Sequence, residues 1–259
     1  MRVNVARIFE DTDYAKIQTL CESTEGWTQV YHKHSTSVWV QMGEGDFQVI
    51  RARTHLSDVS ASTLYDVLHD PDYRPKWDRH MTASQEIGML NPNNDLCYYA
   101  LSSVPPIRPR DFVMQRSWLD AGDEKLICSH SVCHDDFPPQ KGYIRATIFK
   151  AGYRILRRGD GCEVTYVTHS DPKGKLPAWL INRLTRVVAP KLMKKVHKAA
   201  LNYLAWKKDH RPHWKPWLFP EQMLELRKIS LSECTPRTYD QEIVDESRIG
   251  EKEIAADDD

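Results

Sequence analysis

The sequence predicts an α+β fold, a largely antiparallel sheet of about nine strands followed by one long C-terminal helix. Three observations carry that reading. From Trp27 to Asp171, short runs rich in β-branched and aromatic residues alternate with period two and are bounded by turn-forming residues. One helical pattern, at residues 60–70, is all that separates the first three runs from the six that follow, so no series of long crossovers is available for parallel pairing. Beyond Asp171 the apolar period becomes that of a helix and holds to about Lys208.

Taken in order, residues 11–22 form a short amphipathic helix with Ile17, Leu20 and Cys21 on one side, and Gly26-Trp27 breaks the pattern. Strands follow at "WTQVYHKH", "TSVWVQMG" and "FQVIRARTHL". "SASTLYDVLHD" supplies a serine cap and Leu64, Val67 and Leu68 at helical spacing. In "DPDYRPKWDRHM" the proline after Arg74 biases that arginine toward extended backbone. The cluster therefore reads as a loop or bent turn, with Arg74 and Asp78 not an ordinary ion pair one turn apart on an exposed helix. Six further strands are "TASQEIGM", "DLCYYALSSV", "DFVMQRSWLD", "EKLICSHSVCH", "YIRATIFKAGYRILRR" and "CEVTYVTHSD", the last two joined by an Asp160-Gly161 hairpin turn. The terminal helix starts near Pro177 and aligns Leu180, Leu184, Val187, Val188, Leu192, Val196, Ala199, Ala200, Tyr203 and Leu204 in one stripe, which Pro190 should kink. Residues 211–225 carry Pro212, Pro216 and Pro220 among aromatics and form an extended strap. Residues 226–259 lack periodic apolar content, end in three aspartates and read as an unstructured acidic tail.

Composition narrows the function classes. With 36 basic and 36 acidic residues the net charge is zero, yet ten basic and no acidic residues lie between Lys173 and Lys208, while residues 221–259 hold five basic and twelve acidic. No apolar run reaches the roughly 20 residues of a membrane span, and no secretory leader is evident, so a cytoplasmic protein is expected. Cys21, Cys97, Cys128, Cys133, Cys162 and Cys234 form neither a CxxC pair nor a zinc-finger spacing and read as reduced thiols. There is no GxSxG elbow, Walker motif or dinucleotide loop, so neither an enzyme nor a cofactor is expected. His32 with His34, and Cys128 with His130, share strand faces, but no fourfold ligand set accompanies them and no metal is assigned. The basic helix suits an anionic membrane surface better than nucleic acid, since each engaged cation contributes about 1 kcal/mol at such a surface. Arg183, Arg186, Lys191, Lys194, Lys195 and Lys198 are the expected contacts.

"LYDVLHDPDYRPKWD", "RPRDFV" and "DPKGKLPAWLINRLTRVVAPKLMKKVHKAALNYLAWKK" together resemble the StAR-related lipid transfer (START) domain family, in its phosphatidylcholine transfer protein subgroup, over roughly residues 10–210. The strap and a tail containing "DES" resemble a subgroup member that carries phosphatidylcholine and phosphatidylethanolamine. The resemblance implies a helix-grip fold for residues 1–210, in which a curved sheet wraps the terminal helix around a tunnel for one lipid. It implies that Arg74 meets the lipid phosphate and that Asp78 holds the guanidinium when the tunnel is empty, a fit that the paired donors of arginine explain. A purely structural buried salt bridge is the alternative. It further implies a headgroup cage at Tyr99, Phe112 and Phe149. Two phenylalanines make a weaker quaternary-ammonium cage than tyrosine or tryptophan, so choline and ethanolamine both stay open.

The function so implied is a monomeric, reversibly membrane-associated carrier that moves one glycerophospholipid between membranes. A lipid sensor acting on a protein partner, or a carrier of another lipid such as a sterol, is the alternative. An esterase using Asp78 or a histidine lacks an accompanying nucleophile.

Overall fold

Why the sheet closes on one side of a helix follows from its register. The computed structural model describes residues 2–103, 105–241 and 243–253. Helix α1 (Asp11–Glu22) precedes strands β1 (Thr28–Lys33), β2 (Thr36–Met42) and β3 (Gln48–Leu56), then helices α2 (Ala61–His69) and α3 (Arg74–Trp77). Strands β4 (Met81–Asn91), β5 (Asn94–Leu101), β6 (Arg110–Asp120), β7 (Glu124–Ser131), β8 (Ile144–Arg145), β9 (Thr147–Arg158) and β10 (Gly161–Asp171) follow. The order across the sheet is β1-β2-β3-β10-β9-β7-β6-β5-β4, antiparallel throughout, with β8 alone pairing parallel to β6. Ten strands stand where nine were expected because "YIRATIFK" divides at Ala146. Ile144 and Ala146 bond to the β6 end of the sheet, whereas the chain from Ile148 onward turns to β7.

Directly opposed residues share a face, and Tyr31, Val38, Ala52, Tyr166, Tyr153, Ile127 and Trp118 form one continuous row across seven strands. Against that inner face pack α2 and the terminal helix, which runs as α4 (Ala178–Arg183), a π-helical stretch (Leu184–Val188) and α5 (Ala189–Lys208). Met193, Val196, Ala199, Ala200 and Tyr203 are its buried contacts. Pro190 lacks an N–H and would crowd the Arg186 carbonyl in a regular helix. The widened turn just before it, where Ala189 N donates to Leu184 O five residues back, absorbs this defect without breaking the helix. The expected stripe is only half right: Leu184, Val187, Val188 and Leu204 are 37–56% exposed.

The outer face is covered in two places. Phe9, Tyr14, Ile17 and Cys21 pack on Leu126, Cys128 and Val167. Ile87, Leu96, Tyr98, Ala100 and Val113 are covered by Ala6 and by Ile229 and Cys234 of the C-terminal segment. This corrects the reading of residues 226–259 as unstructured. Ile229 N donates to Met89 O at 2.8 Å, and the backbone of Arg227 comes within 2.5 Å of where a Cβ on Gly88 (φ +153°) would stand. Burying Ile229 contributes roughly 1.5–3 kcal/mol, enough to hold a segment whose anchors are too far apart to produce a period. Farther on, buried Glu246 accepts from Arg108 N and Arg110 Nη2, both at 2.7 Å, and Trp179 Nε1 donates to Ile249 O at 2.7 Å. Residues 254–259, part of the same expectation, lie outside the described residues.

Candidate functional site

Asp70 sets the position of the "DPDYRPKWDRHM" cluster. Its Oδ1 accepts from Asp72 N and Tyr73 N, and its Oδ2 accepts from Tyr203 OH (2.9 Å) and Lys207 Nζ (2.7 Å) on α5. Tyr73 OH donates to Ala199 O at 2.9 Å. These bonds fasten α3 to α5 and turn the next residue, Arg74, toward β5. The segment is a single helical turn and not the loop expected, because Pro75 falls in its first turn, where a proline needs no donor.

Arg74 Nε donates to Asp78 Oδ2 at 2.8 Å, so the two do pair one turn apart, but not on an exposed helix. The Arg74 side chain is 28% accessible and that of Asp78 11%. Arg74 Nη2 donates to Tyr99 OH at 3.2 Å, and Tyr99 OH donates to Asp78 Oδ2 at 2.5 Å. Trp77 and Tyr99 flank the guanidinium with ring centroids 4.5 and 5.4 Å from Cζ. Burial opposes the charge on Arg74, but Tyr99 and Asp78 outweigh it and hold its pKa above the ordinary value. Burial likewise opposes ionisation of Asp78, and the Arg74 charge with the Tyr99 hydrogen bond wins, so the carboxyl stays ionised below its usual range. Two donors in this segment have no partner. Nη1 of Arg74 makes no hydrogen bond among the described residues, and the buried indole Nε1 of Trp77 has no partner. The arrangement can accept one anion with a forked, charge-assisted contact.

Tyr99 and Phe112 are directly opposed on β5 and β6, on the inner face. Phe149 falls at an irregularity of β9, unpaired where its register with β10 slips between His169 and Ser170, and is not brought to the Tyr99–Phe112 pair. Its ring neighbours are Phe47 and His169. Tyr99 is therefore committed to Arg74, and Phe112 lines the wall beside it.

Sequence reasoning missed a second polar group on the same face. Arg116 Nε donates to Asp95 Oδ1 at 2.9 Å and Nη2 bonds Oδ2, across directly opposed positions of β6 and β5. Glu86 on β4 stands opposite Cys97, one inward position from Tyr99. Burial, then Asp95, push its carboxyl pKa up, against Arg116. Charged residues at inward positions of otherwise apolar strands were the available signal.

Of the basic residues on the terminal helix, Arg186, Lys191, Lys194 and Lys198 are exposed and Arg183 and Lys195 half-buried. Ile181, Leu184, Val187 and Val188 are exposed among them. Lys195 Nζ lies 3.5 Å from His80 Nε2, two residues beyond Asp78, so the basic face begins beside the Arg74 cluster. His32 Nδ1 bonds Ser37 Oγ and His130 Nε2 donates to Val5 O. The described residues contain no group of three metal-ligating side chains, and no helix among them is long and apolar enough to cross a membrane. A cleft of about 530 Å³ at the start of α2, lined by Ser60, Asp120, Lys125, Arg157 and Asp160, shares no residue with the Arg74 cluster.

Comparison with known proteins found the START domain pattern over residues 7–207. The chain is 42% identical over 246 residues to START domain-containing protein 10 of Mus musculus, covering 93% of this chain and 84% of the relative. It is 30% identical over 153 residues to the phosphatidylcholine transfer protein of Mus musculus, covering 57% and 71%. The crystal structure of human STARD10 matches with a TM-score of 0.85 at 40% identity, over 92% of this chain and 98% of that one.

Proposed function

Because the chain belongs to the START family of lipid transfer domains, we propose that it carries one glycerophospholipid, phosphatidylcholine or phosphatidylethanolamine, between membranes. The observation that carries this reading is Arg74, flanked by Trp77 and Tyr99, paired to Asp78 and still holding unspent donors. A phosphodiester takes up those donors while Asp78 keeps the guanidinium oriented, and Phe112 lines the headgroup wall. The relatives named for phosphatidylcholine transfer support the same ligand class.

Energetics favour exchange at a bilayer over release into water. Two acyl chains with about 30 methylenes between them, at about 0.8 kcal/mol each, cost roughly 24 kcal/mol to expose. The basic and apolar face of the terminal helix supports reversible docking on an anionic, cytoplasmic membrane surface, with Arg183, Arg186, Lys191, Lys194, Lys195 and Lys198 as contacts. The carrier works as a monomer and catalyses no reaction on its ligand.

The test is transfer of labelled phospholipid between donor and acceptor vesicles. Phospholipid movement at a rate proportional to protein concentration is expected. No movement above the protein-free rate, for either headgroup, contradicts the proposal.

A further inference from the structure

On the reading that Arg74 holds the lipid phosphate, we infer that Glu86 is the headgroup subsite for a primary ammonium and makes the protein prefer phosphatidylethanolamine to phosphatidylcholine. The inner wall has a polar order along β5. Tyr99 contacts Arg74 and Asp78, Cys97 lies at the next inward position opposite Glu86, and Asp95 lies beyond it opposite Arg116. Glu86 stands one inward step along the sheet and one strand across from Tyr99, a diagonal of about 8–9 Å, which an extended phosphoethanolamine with hydrogen bonds of about 3 Å at each end covers.

Availability singles out Glu86. Asp78 is taken by Arg74 and Tyr99, and Asp95 is taken by both Nε and Nη2 of Arg116. Glu86 makes no ion pair or hydrogen bond among the described residues and keeps an accessible side chain. At the phosphate end, Arg74 Nη1 makes no hydrogen bond among the described residues. An anion at Arg74 and a cation at Glu86 satisfy both ends of a zwitterion.

Chemistry then sets the selectivity. A primary ammonium donates three hydrogen bonds, and a carboxylate receives them in a charge-assisted contact. A trimethylammonium has no N–H to give Glu86 and is held by ring faces alone, and the Tyr99 face is already occupied by the Arg74 guanidinium.

The test loads purified protein from vesicles holding both lipids in equal amount and counts bound lipid by native mass spectrometry. Wild type should favour phosphatidylethanolamine, and uptake should fall stepwise through its N-methyl and N,N-dimethyl forms to phosphatidylcholine as donors are removed. Glu86→Gln should lower the phosphatidylethanolamine-to-phosphatidylcholine ratio about 10-fold, equivalent to about 1.4 kcal/mol, with total phospholipid occupancy retained. An unchanged ratio in Glu86→Gln overturns the inference and leaves the carrier reading intact. Equal wild-type uptake across the methylation series overturns it without recourse to any variant. Wild type that takes up no phospholipid overturns both.

Discussion

Replacing Arg74 with methionine separates a ligand role from a structural one. Methionine keeps a long side chain against Trp77 and Tyr99 but removes the donors to Asp78 (2.8 Å) and Tyr99 (3.2 Å) and those left for a phosphate. Two charge-assisted bonds to phosphate, at about 1.5–3 kcal/mol each, make binding at least about 100-fold weaker. Asp78 keeps the Tyr99 hydroxyl, and its side chain is 11% accessible, so orphaning it costs less than the full penalty of breaking a buried pair, about 2–3 kcal/mol. That corresponds to a fall of roughly 4–12 °C in Tm for a chain of this size. Adding Asp78→Leu should recover the stability without recovering lipid. Calorimetry and native mass spectrometry of vesicle-loaded protein read the two effects separately. A single mutant that loads phospholipid to wild-type occupancy refutes the reasoning, because the pair is then structural alone.

The remaining expectations rest on other regions. Reversing the exposed cations Arg186, Lys194 and Lys198 to glutamate should remove at least about 3 kcal/mol of attraction to anionic vesicles. Co-sedimentation should show binding to those vesicles weakened about 100-fold with unfolding little changed, and unaltered binding contradicts this membrane face. Glu246→Ala leaves the Arg110 guanidinium with backbone acceptors only, and should cost about 2–3 kcal/mol in urea unfolding if the C-terminal segment is held as described. Burial pushes the His130 imidazole down to about 4, against the pull of its bond to Val5. Its unfolded value is about 6.5, so the unfolded chain binds the proton first and stability falls as pH drops from about 6.5 toward 4. At pH 5 that loss is about 2 kcal/mol, and His130→Gln should flatten the pH dependence by that amount.

What was legible in the sequence had local causes. Alternation and the Asp160-Gly161 turn reported the strands because side-chain period and turn chemistry act within a few residues. Arg74 and Asp78 drew notice through an unusual local composition, but Pro75 was read as biasing Arg74 toward extended backbone when it sits in the first turn of a helix, in a segment that Asp70 ties to Tyr203 and Lys207 far along the chain. Pro190 signalled a defect, and only the surrounding helix determined that it would be met by a π-turn. Glu86, Asp95 and Arg116 were invisible as a group because strand register, not sequence distance, brings them together. Ile229, Cys234 and Glu246 were hidden for the opposite reason, being single anchors on an extended chain with no period to detect.

The central claim, that the interior around Arg74 holds a phospholipid, is tested most directly by native mass spectrometry of the protein purified from cells, with the released ligand identified. One glycerophospholipid per chain, lost in Arg74→Met, is the predicted result. A sterol in its place, or a chain that binds no lipid after exposure to phospholipid vesicles, contradicts it.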